Sequence, residues 1–317
     1  MHLAKLASIQ NKNAQITRQI CAGLSKNTQL SYTREIERFL DWLSTEGKTA
    51  SLASANEYKQ YLIDSNKSAS TINVSLSAIR FFVRQAATLQ LIPESLAKEM
   101  ASIPAIKTRG QRLGNWLSKD ELERLLSQPH LSQFADSMLA YRDQAILAVL
   151  GGAGLRRSEV AALRVEQIVN RENRWILADI IGKRNVTRSV PIAAWIKKSL
   201  DAWLEVSQIQ SGFVFRQVSW KAKERGQIIQ ECQVADETIR NAVSRYSMAA
   251  IGKLISSHDL RRSFARLASE NGCPLEQIQL SLGHLSLTTT QIYLGSRQSL
   301  TNAPSDFLHL ELKTPGI

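Results

Sequence analysis

Several features that mark whole classes of protein are scarce or missing in this sequence of 317 residues. Its three cysteines, Cys21, Cys232 and Cys273, are odd in number and far apart. They argue against a disulfide framework and a cysteine-based zinc site, and they suit a reducing compartment. The longest apolar run, Ala145–Leu155, is broken by glycines and falls short of the roughly 18–20 residues of a membrane helix. The N-terminus has no charged-then-apolar signal segment, so we expect a cytoplasmic protein without membrane contact.

Two patterns of nucleotide and metal chemistry are also missing. The sequence has no Gly-x-x-x-x-Gly-Lys-Ser/Thr loop of the kind that cradles ATP phosphates. It has no grouping of Asp and Glu with the spacing of a magnesium site. We therefore expect no cofactor and no metal.

Positive charge is the main excess. Lys and Arg number 40 against 28 Asp and Glu, which gives a net charge of +12, while 44% of the residues are hydrophobic and can form a core. Residues 1–110 carry 14 basic and 8 acidic residues, and residues 111–317 carry 26 and 20. Two basic halves favour a polyanionic partner, nucleic acid first, gripped from two sides. A generally basic surface is the alternative, and charge alone does not choose between them.

The first half has helical periodicity. Apolar residues recur at helical spacing from Tyr32 to Leu43, before Gly47, and again from Ile72 to Ala86, after the Ser/Thr cluster 68–71. A less regular stretch, about 54–65, predicts a helix between them. These runs indicate a small helical bundle.

The helical pattern lapses between about residues 103 and 117, where Pro104, Gly110 and Gly114 interrupt it. We predict a helical DNA-binding domain over 1–105, a basic linker over 106–117 and a second domain over 118–317. Ser118 and Glu121 have capping-box spacing and restart a helix. The second run and the linker supply candidate DNA-binding residues, for which a solvated helix face is the alternative: Lys67, Arg80, Arg84, Lys107, Arg109 and Arg112.

The second half is mixed. Strand-like content over Arg174–Ile181 and Val186–Ile192, joined by a turn at 182–185, predicts a hairpin. Helices are predicted over 139–150, 193–206, 236–251, 259–271, 274–282 and 286–294, and 216–235 is a polar stretch. The expected fold class is mainly α with a small antiparallel sheet, α+β.

Four short segments could carry chemistry. They are Gly154-Leu-Arg-Arg-Ser-Glu159, Gly182-Lys183, His258-Asp-Leu-Arg261, and Leu282-Gly-His284 with Tyr293 nine residues further on. Taken singly, each is better explained by an ordinary structural role. It is improbable that five positions in this order all have only structural roles: Arg156, Lys183, His258, His284 and Tyr293.

The residue types suit phosphoryl chemistry. Attack on a phosphodiester places negative charge on its non-bridging oxygens, and catalysis there is mainly positioning and fixed positive charge. Arg156 and Arg261 have planar forks that hold phosphate oxygens. His258 lies three residues before Arg261 and shares its helix face. Lys183, in a turn, could reach a leaving oxygen.

In this order the segments resemble the tyrosine recombinases, the phage integrase family, over essentially the whole chain. The most specific part is the run from Leu282 to Tyr293, and Glu159 matches the acidic residue that follows the first arginine. The hairpin lacks the second glycine and lysine common in the family, so Arg184 is an alternative to Lys183. The family's catalytic pattern is met by Arg156, Lys183, His258, Arg261, His284 and Tyr293.

The resemblance implies a fold and a mechanism. It implies an N-terminal core-binding domain and a C-terminal catalytic domain, with Tyr293 forming a 3′-phosphotyrosyl bond and releasing a 5′-hydroxyl. Arg156, Arg261 and His284 would stabilise the pentavalent phosphorus. Lys183 would be the general acid, His258 the general base or a proton relay, and Glu159 an orienting partner.

The resemblance also implies partners. They are double-stranded DNA with inverted-repeat recombination sites and a homo-tetramer assembled on it, in the cytoplasm with the nucleoid. The tail, 296–317, could dock on a neighbouring protomer or pack in cis. The alternatives are a type IB topoisomerase-like nicking-joining enzyme and a catalytically silent DNA-binding protein of the same fold.

Overall fold

A computed structural model of the chain describes residues 10–107, 115–131, 137–182, 185–221 and 226–284. The chain divides into two compact units, Met1–Gly110 and Gln111–Ile317. The helices of the first unit are α1 (Gln10–Cys21), α2 (Lys26–Thr45), α3 (Leu52–Asp64), α4 (Ala69–Thr88) and α5 (Glu94–Ala101). The three helices predicted in this half are therefore confirmed as α2, α3 and α4.

The core of the first unit follows from the periodicity. Helix α2 buries Ile36, Phe39 and Leu43, which are spaced three and four residues apart and so share one face. Helix α4 begins where the Ser68 hydroxyl accepts the N–H of Thr71 at 3.1 Å, as expected of an N-cap.

The described flanks of the predicted linker are each held by the unit that they adjoin. In the first unit, Asn73 exchanges two hydrogen bonds with the backbone of Ile106, at 2.8 and 2.9 Å. In the second unit, Leu117 is 1% exposed and donates its N–H to the Ser263 hydroxyl at 2.8 Å. The intervening residues 108–114 lie outside the described segments.

The second unit combines helices with two small antiparallel sheets. Its helices are α6 (Lys119–Leu131), α7 (Met138–Gly152), α8 (Arg157–Ala162), α9 (Ala194–Ser207), α10 (Asp236–Ile251), α11 (Ser257–Glu270) and α12 (Leu275–Leu282). Its strands are β1 (Ile168–Arg171), β2 (Arg174–Ile181), β3 (Thr187–Pro191), β4 (Arg216–Lys221) and β5 (Gly226–Gln233). The mainly helical α+β class is confirmed.

Helix α7 is the centre of the second unit. Residues 145–150 are each at most 1% exposed, and α6, α9, α10 and α11 pack against it. A helix that is apolar on all sides is buried, as this run predicts. The helix ends at Gly152, so the first candidate segment leaves the core directly from its central helix.

Two helices begin with reciprocal side-chain caps, and the first of these confirms the predicted capping box. At α6, Ser118 and Glu121 cap each other: the Ser118 N–H donates to Glu121 Oε2 at 3.0 Å, and the Glu121 N–H donates to the Ser118 hydroxyl at 3.2 Å. At α11, Ser256 and Asp259 exchange backbone bonds in the same way. Reciprocal capping satisfies donors that a helix N-terminus leaves unpaired.

The first sheet has the order β1-β2-β3. The β1–β2 turn places Glu172 and Asn173 at positive φ, 51° and 59°, which gives the hairpin a twist that matches its strands. Strands β2 and β3 confirm the predicted hairpin, whose Gly182 N–H donates to the Val186 carbonyl at 2.8 Å. Residues 183–184, at its turn, lie outside the described residues.

The second sheet, β4-β5, occupies the segment that the sequence left as a polar stretch. Its strands mix polar residues with short apolar pairs, so the alternation that marks a half-buried strand is weak. Helix 286–294, also predicted, lies outside the described residues. The helices of the described segments are each too short or too polar to span a lipid bilayer.

Candidate active site

The candidate site begins at the turn between α7 and α8. Arg156 is the N-cap residue of α8, with extended backbone angles, and Glu159 lies in the first turn of that helix. The backbone N–H of Arg156 donates to Glu159 Oε2 at 2.8 Å. A carboxylate in this position satisfies a donor at the helix N-terminus and favours the positive end of the helix dipole.

Glu159 is the centre of a group of arginines. Its side chain is only 2% exposed, yet its two oxygens accept hydrogen bonds from two arginines. Arg156 Nη1 donates to Oε1 at 2.7 Å. Arg188 binds both oxygens, Nη1 to Oε1 at 3.0 Å and Nη2 to Oε2 at 2.8 Å, and Arg261 Nη1 lies 3.9 Å from Oε2. We call these four residues the Glu159 cluster.

Arg261 links two turns of the chain. It projects from α11, is 2% exposed, and donates Nη1 to the Gly154 carbonyl at 2.6 Å. Its Nη2 donates to the Leu282 carbonyl at the end of α12. The guanidinium therefore fixes the turn that carries Arg156 and the turn that carries His284 to the same helix.

Two glycines allow the chain to approach the cluster closely. A Cβ on Gly182 would lie 3.2 Å from Arg188 Nη1 and from Glu159 Oε1, so a side chain there would press on the ion pair. Gly283 ends α12 with φ +62°, and its Cβ would lie 2.9 Å from Arg188 Cδ. Both the left-handed conformation and the contact require glycine.

His284 follows Gly283, and its backbone is fixed at both ends. Its N–H donates to the Gln279 carbonyl at 3.2 Å, and Gln279 Nε2 donates to the His284 carbonyl at 2.9 Å. Desolvation, together with the charges of Arg261, Arg156, Arg188 and His258, lowers the pKa of His284 to about 4. The ring is therefore neutral near pH 7 and keeps one N–H to donate.

His258 lies in the first turn of α11, one turn before Arg261. Partial desolvation is the largest cause that lowers its pKa; the charges of Arg262, Arg261 and Arg156 act in the same direction, against Asp259. A neutral imidazole that remains accessible at the surface can accept a proton.

The electrostatics of Glu159 oppose its burial. Desolvation alone would raise the pKa of this carboxyl, but the bonds from Arg188 and from the backbone of Arg156, with the charge of Arg188, lower it to about 2. Glu159 is thus ionised throughout the physiological range. Three guanidinium charges against one carboxylate leave the Glu159 cluster with a net charge of +2.

The structure brings together four of the six predicted catalytic residues: Arg156 and Arg261 share Glu159, and the charges that act on His258 and His284 include both arginines. Lys183 and Tyr293 lie outside the described residues. Gly182, which precedes Lys183, borders the cluster.

The predicted DNA-binding residues are placed differently from one another. Lys67, Arg84 and Lys107 are exposed, whereas Arg80 donates Nε and Nη2 to the Ile103 carbonyl at 3.1 and 2.6 Å and so holds the segment after α5. Arg109 and Arg112 lie outside the described residues. Contact of these side chains with DNA stays a prediction.

Sequence reasoning missed Arg188. This residue lies on β3, and its side chain is 7% exposed. The signal was available: side chains two apart on a strand share a face, and Arg188 is two residues before the buried Val190. A charged residue on the buried face of a strand calls for a buried partner.

The described residues contain no group of three or more His, Cys, Asp or Glu side chains that could hold a metal ion. The groups that converge here are cationic or neutral donors around one carboxylate. Such an arrangement suits an anionic ligand that arrives with its own oxygen acceptors, such as a phosphodiester.

Comparisons with known proteins identify the family. The family profile described as Phage integrase family matches residues 115–299, and that described as Phage integrase, N-terminal SAM-like domain matches residues 13–92. Tyrosine recombinase XerD of Lacticaseibacillus casei is 30% identical over 290 residues, 86% of this chain and 88% of that protein. Tyrosine recombinase XerC of Thermodesulfovibrio yellowstonii is 27% identical over 275 residues, 86% of each chain.

A solved structure shares the fold. It is that of the XerH site-specific recombinase bound to palindromic difH substrate in a post-cleavage complex, with a TM-score of 0.70 at 17% identity. The match covers 90% of this chain and 91% of that one.

Proposed function

This chain belongs to the phage integrase family of tyrosine recombinases, and we propose that the Glu159 cluster is the part of its active site that holds the scissile phosphate. The protein is a site-specific DNA recombinase, which breaks and rejoins DNA strands. The observation that carries the proposal is the sharing of one buried carboxylate by Arg156 and Arg261.

The cluster has the charge and shape that phosphate binding requires. Its excess of positive charge is fixed by the fold before DNA arrives, so little reorganisation is needed in the transition state. Arg156 keeps 30% of its side chain exposed and presents an edge to a ligand. Arg261 and the neutral His284 would complete the binding of the non-bridging oxygens.

The chemical step is an exchange of one phosphodiester for another. The phenolic oxygen of Tyr293 attacks phosphorus, the P–O5′ bond breaks, and a 3′-phosphotyrosyl bond replaces it. His258 takes the phenolic proton, and Lys183 gives a proton to the departing 5′-oxygen. In the reverse direction a 5′-hydroxyl of the partner strand displaces the tyrosine. Each step conserves one phosphoester bond, so no energy-rich cofactor is required.

The histidines fit these tasks. His258 is neutral at pH 7 because desolvation and nearby cations lower its pKa, so it can act as a general base. A phosphate at the site would raise the pKa of both rings, because an anion favours their protonated forms. Binding of DNA would thus strengthen His284 as a donor when charge develops.

The experiment that tests this function traps the covalent intermediate. Duplexes that bind the protein are selected from a randomised library. For each duplex, a series of substrates carries a single nick, which lies one nucleotide further along the strand in each member of the series. Cleavage next to the nick then releases a short fragment, so that rejoining is prevented. The parent should form a covalent protein–DNA adduct with a 5′-hydroxyl on the released fragment. Tyr293→Phe should bind the same duplexes and form none.

Two outcomes would redirect the proposal. A normal adduct with Tyr293→Phe would reject this tyrosine as the nucleophile. Relaxation of a single supercoiled duplex without exchange between two sites would favour the type IB topoisomerase activity instead.

We also propose how the chain meets its DNA. The predicted domains, 1–105 and 118–317, would bind opposite sides of a duplex carrying inverted repeats, with the linker over 106–117 between them and four protomers assembled on two duplexes in the nucleoid.

Our proposal includes docking of the tail, 296–317, on a neighbouring protomer. A protein truncated after residue 300 should bind one site normally and lose cooperative assembly; unchanged assembly would mean that the tail packs in cis.

A further inference from the structure

Arg188 makes more contacts than an ordinary ion pair needs. Its side chain is 7% exposed, and its guanidinium grips both oxygens of Glu159 at 2.8 and 3.0 Å. The third donor, Nε, donates to the Ser281 carbonyl at 2.7 Å. A planar fork holds all three acceptors in one fixed geometry, which an ammonium group cannot reproduce.

These contacts join three separate segments. Arg188 lies on β3, which follows the hairpin turn; Glu159 lies in the turn that carries Arg156; and Ser281 lies in the last turn of α12, before His284. The Cδ of Arg188 fills the space in front of Gly283, where a Cβ would come within 2.9 Å. One side chain therefore contacts all three segments, and it adds to the link that Arg261 makes between two of them.

We propose that Arg188 is a positioning residue for strand cleavage: it holds Glu159, and through it Arg156, in register with the turn that carries His284, without itself touching DNA. This inference rests on the proposed function of the cluster. Without Arg188, Glu159 would keep its bonds to Arg156, and Arg261 would still link the two turns through the Gly154 and Leu282 carbonyls. The direct link from Glu159 to α12 would be lost, so the two donors of the phosphate site would be held less firmly relative to each other.

A purely structural role has different consequences. If Arg188 only stabilised the fold, its loss would lower the melting temperature and slow cleavage of every substrate by the same factor. If it positions charge, its loss matters most when the substrate carries charge. A neutral methylphosphonate at the scissile position removes a negative oxygen, so misplaced cations cost the reaction less.

The test compares single-turnover covalent adduct formation on the nicked duplex with phosphate and with methylphosphonate at the cleavage position. The variants are Arg188→Gln and Arg188→Lys. Arg266→Lys is the matched control, because Arg266 is also held by a carboxylate, Glu270 at 2.6 Å, and by the Trp116 ring, and neither partner belongs to the Glu159 cluster. Melting temperature and DNA affinity are measured for each.

We expect both Arg188 variants to bind the duplex like the parent and to cleave the phosphate substrate more slowly, by up to about 100-fold. The loss should shrink several-fold on the methylphosphonate, and lysine should rescue little because it cannot span both carboxylate oxygens. Arg266→Lys should match the parent on both substrates.

Parent-like cleavage by Arg188→Gln would overturn the inference, as would an equal loss on both substrates. If the glutamine variant does not fold, the same comparison with Arg188→Lys decides. A parent that forms no adduct at all would contradict the proposed function itself, which separates the two failures.

Discussion

Among the described residues of the second unit, two buried carboxylates are surrounded by arginines, and only one of these two has the features of a reaction site. Asp143 on α7 is 0% exposed and accepts bonds from Arg142, Arg245 and the Tyr246 hydroxyl. Glu159 is 2% exposed and accepts from Arg156 and Arg188. Each carboxylate is thus paired and hydrogen-bonded, as burial demands.

The surroundings differ in what they leave for a ligand. The Asp143 network ties α7 to α10 and includes Arg142, which is 4% exposed. Burial and the charge of Asp143 raise the pKa of Tyr246 to about 12, so that hydroxyl is kept as a donor. At Glu159 two histidines of lowered pKa and two closely packed glycines adjoin the arginines. A buried carboxylate with arginines is therefore not sufficient evidence of a site; the neighbouring segments decide.

Removing Asp143 should have the largest effect on stability. Asp143→Ala leaves Arg142 buried without its anion, which costs about 3–5 kcal/mol. Urea unfolding of the second unit measures this, with Asp120→Ala, an exposed position in the first turn of α6, as the control that should lose less than about 1 kcal/mol. The cleavage rate per folded molecule should be unchanged. A loss of cleavage that unfolding does not explain would mean that the Asp143 network also belongs to the reaction site.

Arg156→Ala should have the largest effect on chemistry. Loss of one phosphate donor is expected to slow adduct formation on the order of 10²–10³-fold, as for the loss of an oxyanion donor, with little change in stability. Arg245→Ala is the matched control, because Arg245 also binds a buried carboxylate from a partly exposed position. Equal losses in the two variants would remove the distinction between the networks.

Gly283→Ala should have an intermediate effect on both properties. An alanine at this positive φ lowers the free energy of unfolding by about 1 kcal/mol. The contact of its Cβ with Arg188 adds to this loss and displaces the Arg188 side chain. Gly252→Ala separates the two causes, because Gly252 ends α10 with φ +67° and nothing lies within 4 Å of its Cβ. Thermal unfolding and adduct formation should both be worse for Gly283→Ala. Equal results would show that Arg188 adapts without consequence.

Lowering the pH should have the smallest of these effects on the free energy of unfolding. Desolvation and the charges of Arg261, Arg156, Arg188 and His258 place the pKa of His284 near 4, below its ordinary 6.5. The unfolded chain then binds a proton that the folded one does not, so the free energy of unfolding falls by about 1–3 kcal/mol as the pH drops from 6.5 to 4. His258 adds to the same slope.

The check is urea unfolding against pH for the parent and His284→Gln. The variant should show a shallower fall, and the difference between the two should stop changing below about pH 4. Parallel curves would mean that His284 is not held neutral by the cluster.

The sequence predicted those parts of the molecule whose causes are local. Helical spacing predicted α2 and α4, an all-apolar run predicted the buried α7, and the Ser118–Glu121 spacing predicted the start of α6 together with its reciprocal bonds. Strands β4 and β5 were missed because a ribbon of weakly alternating polar residues carries little periodic signal.

The candidate site shows the same limit. The order of Arg156, His258, Arg261 and His284 indicated that they act together, since chemistry dictates the residue types. It did not indicate Arg188, whose importance depends on the meeting of β3 with α8 and α12. That meeting is a property of the tertiary fold. The strand pattern shows that a charged residue on the buried face needs a partner, but it does not identify Glu159 or Ser281 as that partner.

The most direct test of the Glu159 cluster as the phosphate site is the structure of the trapped covalent complex. The account predicts phosphorus bonded to the Tyr293 oxygen, with nitrogens of Arg156 and Arg261 within about 2.7–3.1 Å of its non-bridging oxygens and Arg188 still on Glu159 without touching DNA. A trapped phosphate lying away from both arginines, or bound by the arginines around Asp143, would contradict it.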